Sequence, residues 1–167
     1  MEGSELHIYC DASGEGYGCV AYSVNDNNSR IIMSRTRIAP VSSRSIVQLE
    51  LTALLLGCCL AQYLVTEIFQ FHKVIIWSDN KCCISWMGEC KLKDIYVRNR
   101  VAEAQRLIEA FKFEVRYINT KENPADILSR GADLESLNES TVDPRYNGQM
   151  RHEHCPLFEN VRCLKIL

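Results

Sequence analysis

Residues 5–24 read ELHIYCDASGEGYGCVAYSV. Residues 5–10 alternate and end at Asp11, as a strand should. ASGEGYG, with glycines at 14, 16 and 18, is a turn, and residues 17–24 form a second strand. NDNNS turns the chain again, and residues 30–38 (RIIMSRTRI) return as a third strand. Three consecutive strands joined by short turns make an antiparallel meander.

Beyond APVSSRS the period changes. In IVQLELTALLLGCCLAQYLV the apolar residues occupy most of the circumference, which predicts a largely buried helix over 45–65. Ser42, Ser43 and Ser45 are its candidate N-caps. KVIIWSD (73–79) is the short, continuously apolar run of a strand covered on both faces. Residues 80–88 fit a short helix, and 94–111 an amphipathic one with Val97, Val101, Ala104, Leu107 and Ile108 on one side. FEVRYIN (113–119) is the last strand, and NPADILSR opens the last helix, with Pro124 suited to its first turn. The order βββ-α-β-α-α-β-α predicts an α/β fold, a mixed sheet with helices on its faces. Residues 133–167 lose periodicity and read as a partly irregular appendage to a domain spanning 1–132.

At 167 residues, 47% of them hydrophobic, the chain suits one globular domain. No unbroken run of about 18 apolar residues occurs, so no membrane span is expected. The N-terminus has no basic region followed by an apolar stretch, so no secretory signal is visible. Nine cysteines, an odd number with no C-x-x-C, make a poor disulfide framework. Free thiols in a reducing, intracellular compartment (cytoplasm or nucleus) are the simplest reading.

Four acids occupy distinct contexts: Asp11 and Asp79 end strands, Glu50 lies inside the buried helix, and Asp126 opens the last helix. Singly, Asp11 or Asp79 reads as a turn former, and Asp126 as a favourable charge at a helix start. Glu50 is harder to dismiss, because an unpaired carboxylate among Leu49, Leu51 and Leu54 is costly. Carboxylates gathered at one end of a sheet cannot all ionise unless cations neutralise them. Hard oxygen ligands favour Mg²⁺ or Mn²⁺. The formal charge of −2 is unusual for a nucleic-acid binder, but two divalent ions would bring it to +2.

Six stretches, taken together and in this order, resemble the ribonuclease H domain of retroelement polyproteins, most closely the BEL/Pao type. They are YCDASGEGYG, SRTRIAPVSS, QLELTALLLG, WSDNKCCISWM, YVRNRVAEAQ and NTKENPADILSRG, spanning about residues 6–131. The resemblance implies a ribonuclease H-like fold, a five-stranded mixed sheet whose antiparallel meander precedes parallel strands. It implies endonucleolytic cleavage of the RNA strand of an RNA–DNA hybrid, leaving a 3′-hydroxyl and a 5′-phosphate. It implies catalytic and metal-ligating roles for Asp11, Glu50, Asp79 and Asp126 around two Mg²⁺ ions, Mn²⁺ being an alternative. A reverse transcriptase domain of a parent polyprotein is the implied protein partner, and a retroelement particle an implied location. Cellular relatives place a mobile histidine in the loop before the last acid; RYINTKENPAD has none, and Tyr117 stands where it often lies.

Ser13, Gln48 and Asn80 lie beside the acids as candidate contacts to the 2′-hydroxyl side of a substrate. Lys81, Lys91, Lys93, Arg98 and Arg100 are candidate phosphate contacts, set against an ordinary solvated face. Trp77 and Trp86 read as core residues rather than base-stacking platforms. The spacing of His152, His154, Cys155 and Cys163 matches no common zinc site. The alternatives are a non-catalytic hybrid-binding or scaffolding module, and another nuclease or transferase of the same superfamily. Asp11-Ala12-Ser13 departs from the D-x-E of the exonucleases, and Asp126 from the terminal glutamate of the integrases.

Overall fold

A computed structural model describes residues 3–25, 28–41, 44–68, 70–88 and 92–130. The 133–167 appendage, with its histidines and cysteines, lies outside the described residues, as do Lys91, Ser42 and Ser43.

The elements follow the expected order. Strands β1 (Glu5–Ala12), β2 (Gly16–Asn25) and β3 (Asn28–Ile38) form the meander, and α1 (Ile46–Glu67) leads to β4 (Lys73–Ser78). Then come α2 (Lys81–Trp86), α3 (Ile95–Phe111), β5 (Glu114–Tyr117), a 3₁₀ turn (Thr120–Glu122) and α4 (Asp126–Ser129). They build one five-stranded sheet in the order β3-β2-β1-β4-β5. The β1–β2 and β2–β3 pairs are antiparallel, and β1–β4 and β4–β5 are parallel. This is the mixed ribonuclease H-like sheet that the resemblance implied.

Alternation along β1 divides the interior into two layers. Leu6, Ile8, Cys10 and Ala12 face the larger core, with Cys19, Ala21 and Ile76, under α1 and α3. Val97, Val101, Ala104 and Leu107 supply α3's buried stripe, as its periodicity predicts. Tyr9, Val20, Tyr22 and Val24 face the other way and meet Ala125, with Leu128 of α4 packed against them. Trp77 stacks on Tyr9 with ring centroids 6.0 Å apart, and its indole N–H donates to His7 Nδ1 at 3.1 Å. Trp86 is half-buried against the larger core. Both tryptophans are therefore packing residues.

Helix α1 starts at Ser45, whose hydroxyl accepts from the Gln48 N–H while the Gln48 side chain accepts from the Ser45 N–H. This reciprocal cap satisfies two otherwise orphaned donors. By length and composition alone α1 is also apolar enough to cross a membrane, although it holds no unbroken run of about 18 apolar residues. Glu50 is the only Asp, Glu, Lys or Arg in its first five turns, so interspersed Gln and Thr lower its mean hydropathy little. More than half of that window (56%) is nevertheless buried inside the fold. Pro124 lies two residues before α4 rather than in its first turn, because Asn119 first caps the intervening 3₁₀ turn.

Helix α1 lies close against the sheet at Gly57. A Cβ there would stand 2.4 Å from Cys10 Sγ and 3.3 Å from Ile8 Cγ2. Gly57→Ala should therefore lower the thermal midpoint despite alanine's better helix propensity, costing about 1–3 kcal/mol through overpacking. Calorimetry checks it; an unchanged or higher midpoint would show that α1 can shift freely. Among the described residues Cys10, Cys19, Cys58, Cys59, Cys82 and Cys83 are free thiols. Burial pushes the Cys10, Cys19, Cys58 and Cys83 thiols up, which suits small core hydrophobes rather than nucleophiles.

Candidate active site

Strand register brings the first two acids together. Cys10 pairs with Ser78 in the parallel β1–β4 ladder, so the residues that follow them, Asp11 and Asp79, stand side by side. Glu50 reaches the same place from the second turn of α1, whose N-terminal end lies over this edge of the sheet. One carboxylate oxygen from each of Asp11, Glu50 and Asp79 lies within 4.8 Å of the others.

This trio is electrostatically strained. Asp11 is 3% exposed and Glu50 is 6% exposed. Burial, followed by repulsion from Asp79 and Asp126 and offset by a bond from Ser129, raises the Asp11 carboxyl to about 6. Burial again leads for Glu50, reinforced by Asp11 and Asp79, and raises it to about 9. Glu50 Oε2 and Asp79 Oδ1 are buried and have no hydrogen-bond partner among the described residues. Three converging carboxylates, two of them with a buried orphaned oxygen, fit a divalent cation, which would give those oxygens a partner and cancel the repulsion.

Asp126 stands at the rim of the trio. It adds repulsion to both Asp11 and Glu50, while its Oδ1 accepts from Arg130 Nε at 2.9 Å. The chain leading into α4 is fixed by Asn123, which is buried. Its Nδ2 donates to the Cys10 carbonyl at 2.9 Å and its Oδ1 accepts from the Ala125 N–H. Ser129 Oγ donates to Asp11 Oδ2 at 2.5 Å. Sequence reasoning missed Asn123 and Ser129, although both lie inside the NPADILSR stretch. The one local signal was an Asn directly before Pro124, which marks Asn123 as a turn residue without revealing its partner.

The candidate substrate contacts are placed unevenly. Ser13 Oγ donates to the Ser129 carbonyl and accepts from the Glu15 and Gly16 N–H groups, organising the β1–β2 turn. Gln48 is held by the α1 cap and donates from Nε2 to Asp94 Oδ2 at 3.3 Å. Asn80 caps α2 through Oδ1. Lys81 Nζ lies 4.8 Å from the centre of the Tyr117 ring. Arg100 stacks on Tyr96 at 3.3 Å and donates to Thr52 Oγ1, and Arg44 also lies over the Tyr96 ring. Lys93 and Arg98 are exposed.

A mixed sheet of this order, with acids from β1, α1 and the end of β4 converging, defines a ribonuclease H-like domain. Residues 1–80 match the family model of the Pao retrotransposon-like RNaseH-like domain, a span that contains Asp11, Glu50 and Asp79. The resemblance to the Pao type therefore stands for residues 1–80, and the ribonuclease H-like fold for the sheet as a whole.

Among solved structures, an N-terminal RNase H domain from Mycobacterium tuberculosis is 22% identical with a TM-score of 0.59. That match covers 77% of this chain and 98% of the other. RNase H1 of Halobacterium salinarum is 16% identical at a TM-score of 0.57, covering 77% and 96%. LC11-RNase H1, isolated from compost and solved with an RNA/DNA hybrid, is 14% identical at 0.58, covering 80% and 99%. At such identities the likeness is one of fold. No curated protein matches the chain by sequence.

Proposed function

We propose that this domain is a metal-dependent endoribonuclease that cleaves the RNA strand of RNA–DNA hybrids. The observation that carries the reading is the convergence of Asp11, Glu50 and Asp79 with two orphaned buried oxygens. Those three acids hold the cations, Mg²⁺ by their hard oxygen chemistry, and Asp126 completes the site from α4. When bound, the cations supply charge neutralisation and Lewis acidity for phosphodiester hydrolysis.

The chain's own part is positioning. The parallel register fixes Asp11 beside Asp79, and α1 carries Glu50 in from the opposite face of the sheet. Three carboxylates so placed repel a phosphate unless cations intervene, so productive hybrid binding depends on the metal. Lys81, Lys91, Lys93, Arg98 and Arg100 are assigned to the phosphates, with Ser13, Gln48 and Asn80 near the ribose edge, where the 2′-hydroxyl distinguishes RNA from DNA. The hybrid-bound LC11-RNase H1 and a foamy viral protease-reverse transcriptase with an RNA/DNA hybrid, similar at a TM-score of 0.51, support hybrid as substrate and a reverse transcriptase domain as partner.

The test is incubation with a hybrid labelled on each strand, with Mg²⁺ or with EDTA. Mg²⁺-dependent loss of the RNA strand alone, yielding 5′-phosphate ends, is expected. Binding of intact hybrid, unaltered by Mg²⁺ and by Asp79→Asn, would instead establish a scaffolding module.

A further inference from the structure

We propose that Ser129 is a positioning residue of the metal site, fixing the rotation of the Asp11 carboxylate and latching the strand that bears it to the helix that bears Asp126. The inference rests on the metal-site reading above.

Helix α4 is a single turn of four residues, and no side chain caps its start. So short a helix does not hold itself. Its position comes from contacts with the end of β1 and the turn that follows. Asn123 Nδ2 donates to the Cys10 carbonyl, Ser13 Oγ donates to the Ser129 carbonyl at 2.5 Å, and Ser129 Oγ donates to Asp11 Oδ2 at 2.5 Å. Only the last of these reaches an acid.

Ser129 is 1% exposed, so no water competes freely for its hydroxyl. Its oxygen also lies 3.1 Å from the Asp126 carbonyl, but a hydroxyl has one proton. The shorter contact to a carboxylate takes that proton, because charge-assisted bonds are the stronger. A carboxylate has about four acceptor sites; the Ser129 hydroxyl and the Ala12 N–H use two on Asp11, so the bond turns the carboxylate while leaving sites for a cation. Hydrogen-bonding partners of metal ligands typically set affinity in this way.

The experiment measures Mn²⁺ binding by calorimetry on the whole chain, with circular dichroism as the fold control and cleavage at varied Mg²⁺ as a second readout. Ser129→Ala should weaken Mn²⁺ binding about tenfold and raise the Mg²⁺ needed for half-maximal cleavage in parallel. Ser129→Thr, which keeps the hydroxyl, should restore both. Should Ser129→Ala fail to fold, Ser129→Cys replaces it, with weakened binding again expected of a poorer donor. A folded Ser129→Ala or Ser129→Cys protein with wild-type Mn²⁺ affinity overturns the latch alone, provided that Asp79→Asn abolishes binding. If the wild type binds no Mn²⁺, or Asp79→Asn leaves binding intact, the metal-site reading falls and the latch with it.

Discussion

Held free of metal at pH 7, the Glu50→Gln protein should be more stable than the wild type, although it loses the activity. The folded protein raises the Glu50 carboxyl to about 9 from an ordinary value of 4.5. The folded state therefore keeps a proton that the unfolded chain releases. Stability linked to this group is full below pH 4.5 and is lost as pH rises towards about 9. Between pH 4.5 and 7 the loss amounts to about 3 kcal/mol, taking 1.36 kcal/mol per unit. Glutamine cannot ionise and keeps the side chain's shape. The expected gain in thermal midpoint is on the order of 10 °C at pH 7, shrinking to nothing near pH 4. Asp11, raised to about 6 from 3.8, adds a smaller loss of the same sign between those values. Adding Mg²⁺ should stabilise the wild type and leave the variant almost unmoved, since ligand binding to the folded state raises the midpoint. A Glu50→Gln midpoint at or below that of the metal-free wild type, measured from pH 4 to 8, would show that the buried acids do not oppose folding.

Much of this arrangement is legible in the chain because it is local. Asp11 and Asp79 each end an apolar run, and a strand end is readable from a few neighbouring residues. Glu50 stands out because a charge among leucines must be compensated by something. Even the α1 start is written in Ser45 and Gln48, three positions apart. What could not be read depends on residues far apart in sequence. The bond from Ser129 to Asp11 spans 118 positions and that from Asn123 to Cys10 spans 113. Nothing in NPADILSR marks its serine as the partner of a strand-end acid. The pairing of Asp126 with Arg130, by contrast, is local, four positions apart along α4 and its C-terminal cap. For Gln48 and Ser13, proximity to the acids in sequence gave no view of the cap and turn that occupy their polar atoms.

Asp11→Asn should reduce cleavage of the RNA strand by more than about a hundredfold, because it removes a ligand rather than a ligand's partner. Asp11 is central to the trio: it neighbours Asp79 by register, repels Glu50, and is oriented by Ser129. An amide in its place keeps one acceptor oxygen but loses the negative charge that a cation needs. Asp126→Asn should be milder, about tenfold, since Asp126 lies outside the converging trio and already shares its charge with Arg130. The same substitutions make opposite predictions for binding. In EDTA, removing a carboxylate lessens repulsion of the phosphates, so Asp11→Asn should bind hybrid at least as tightly as the wild type by fluorescence anisotropy. Loss of cleavage with binding kept identifies a catalytic ligand. Wild-type cleavage by Asp11→Asn would exclude this acid from the chemistry, whereas loss of cleavage and hybrid binding together, with a lowered thermal midpoint, would mean that Asp11 serves the fold.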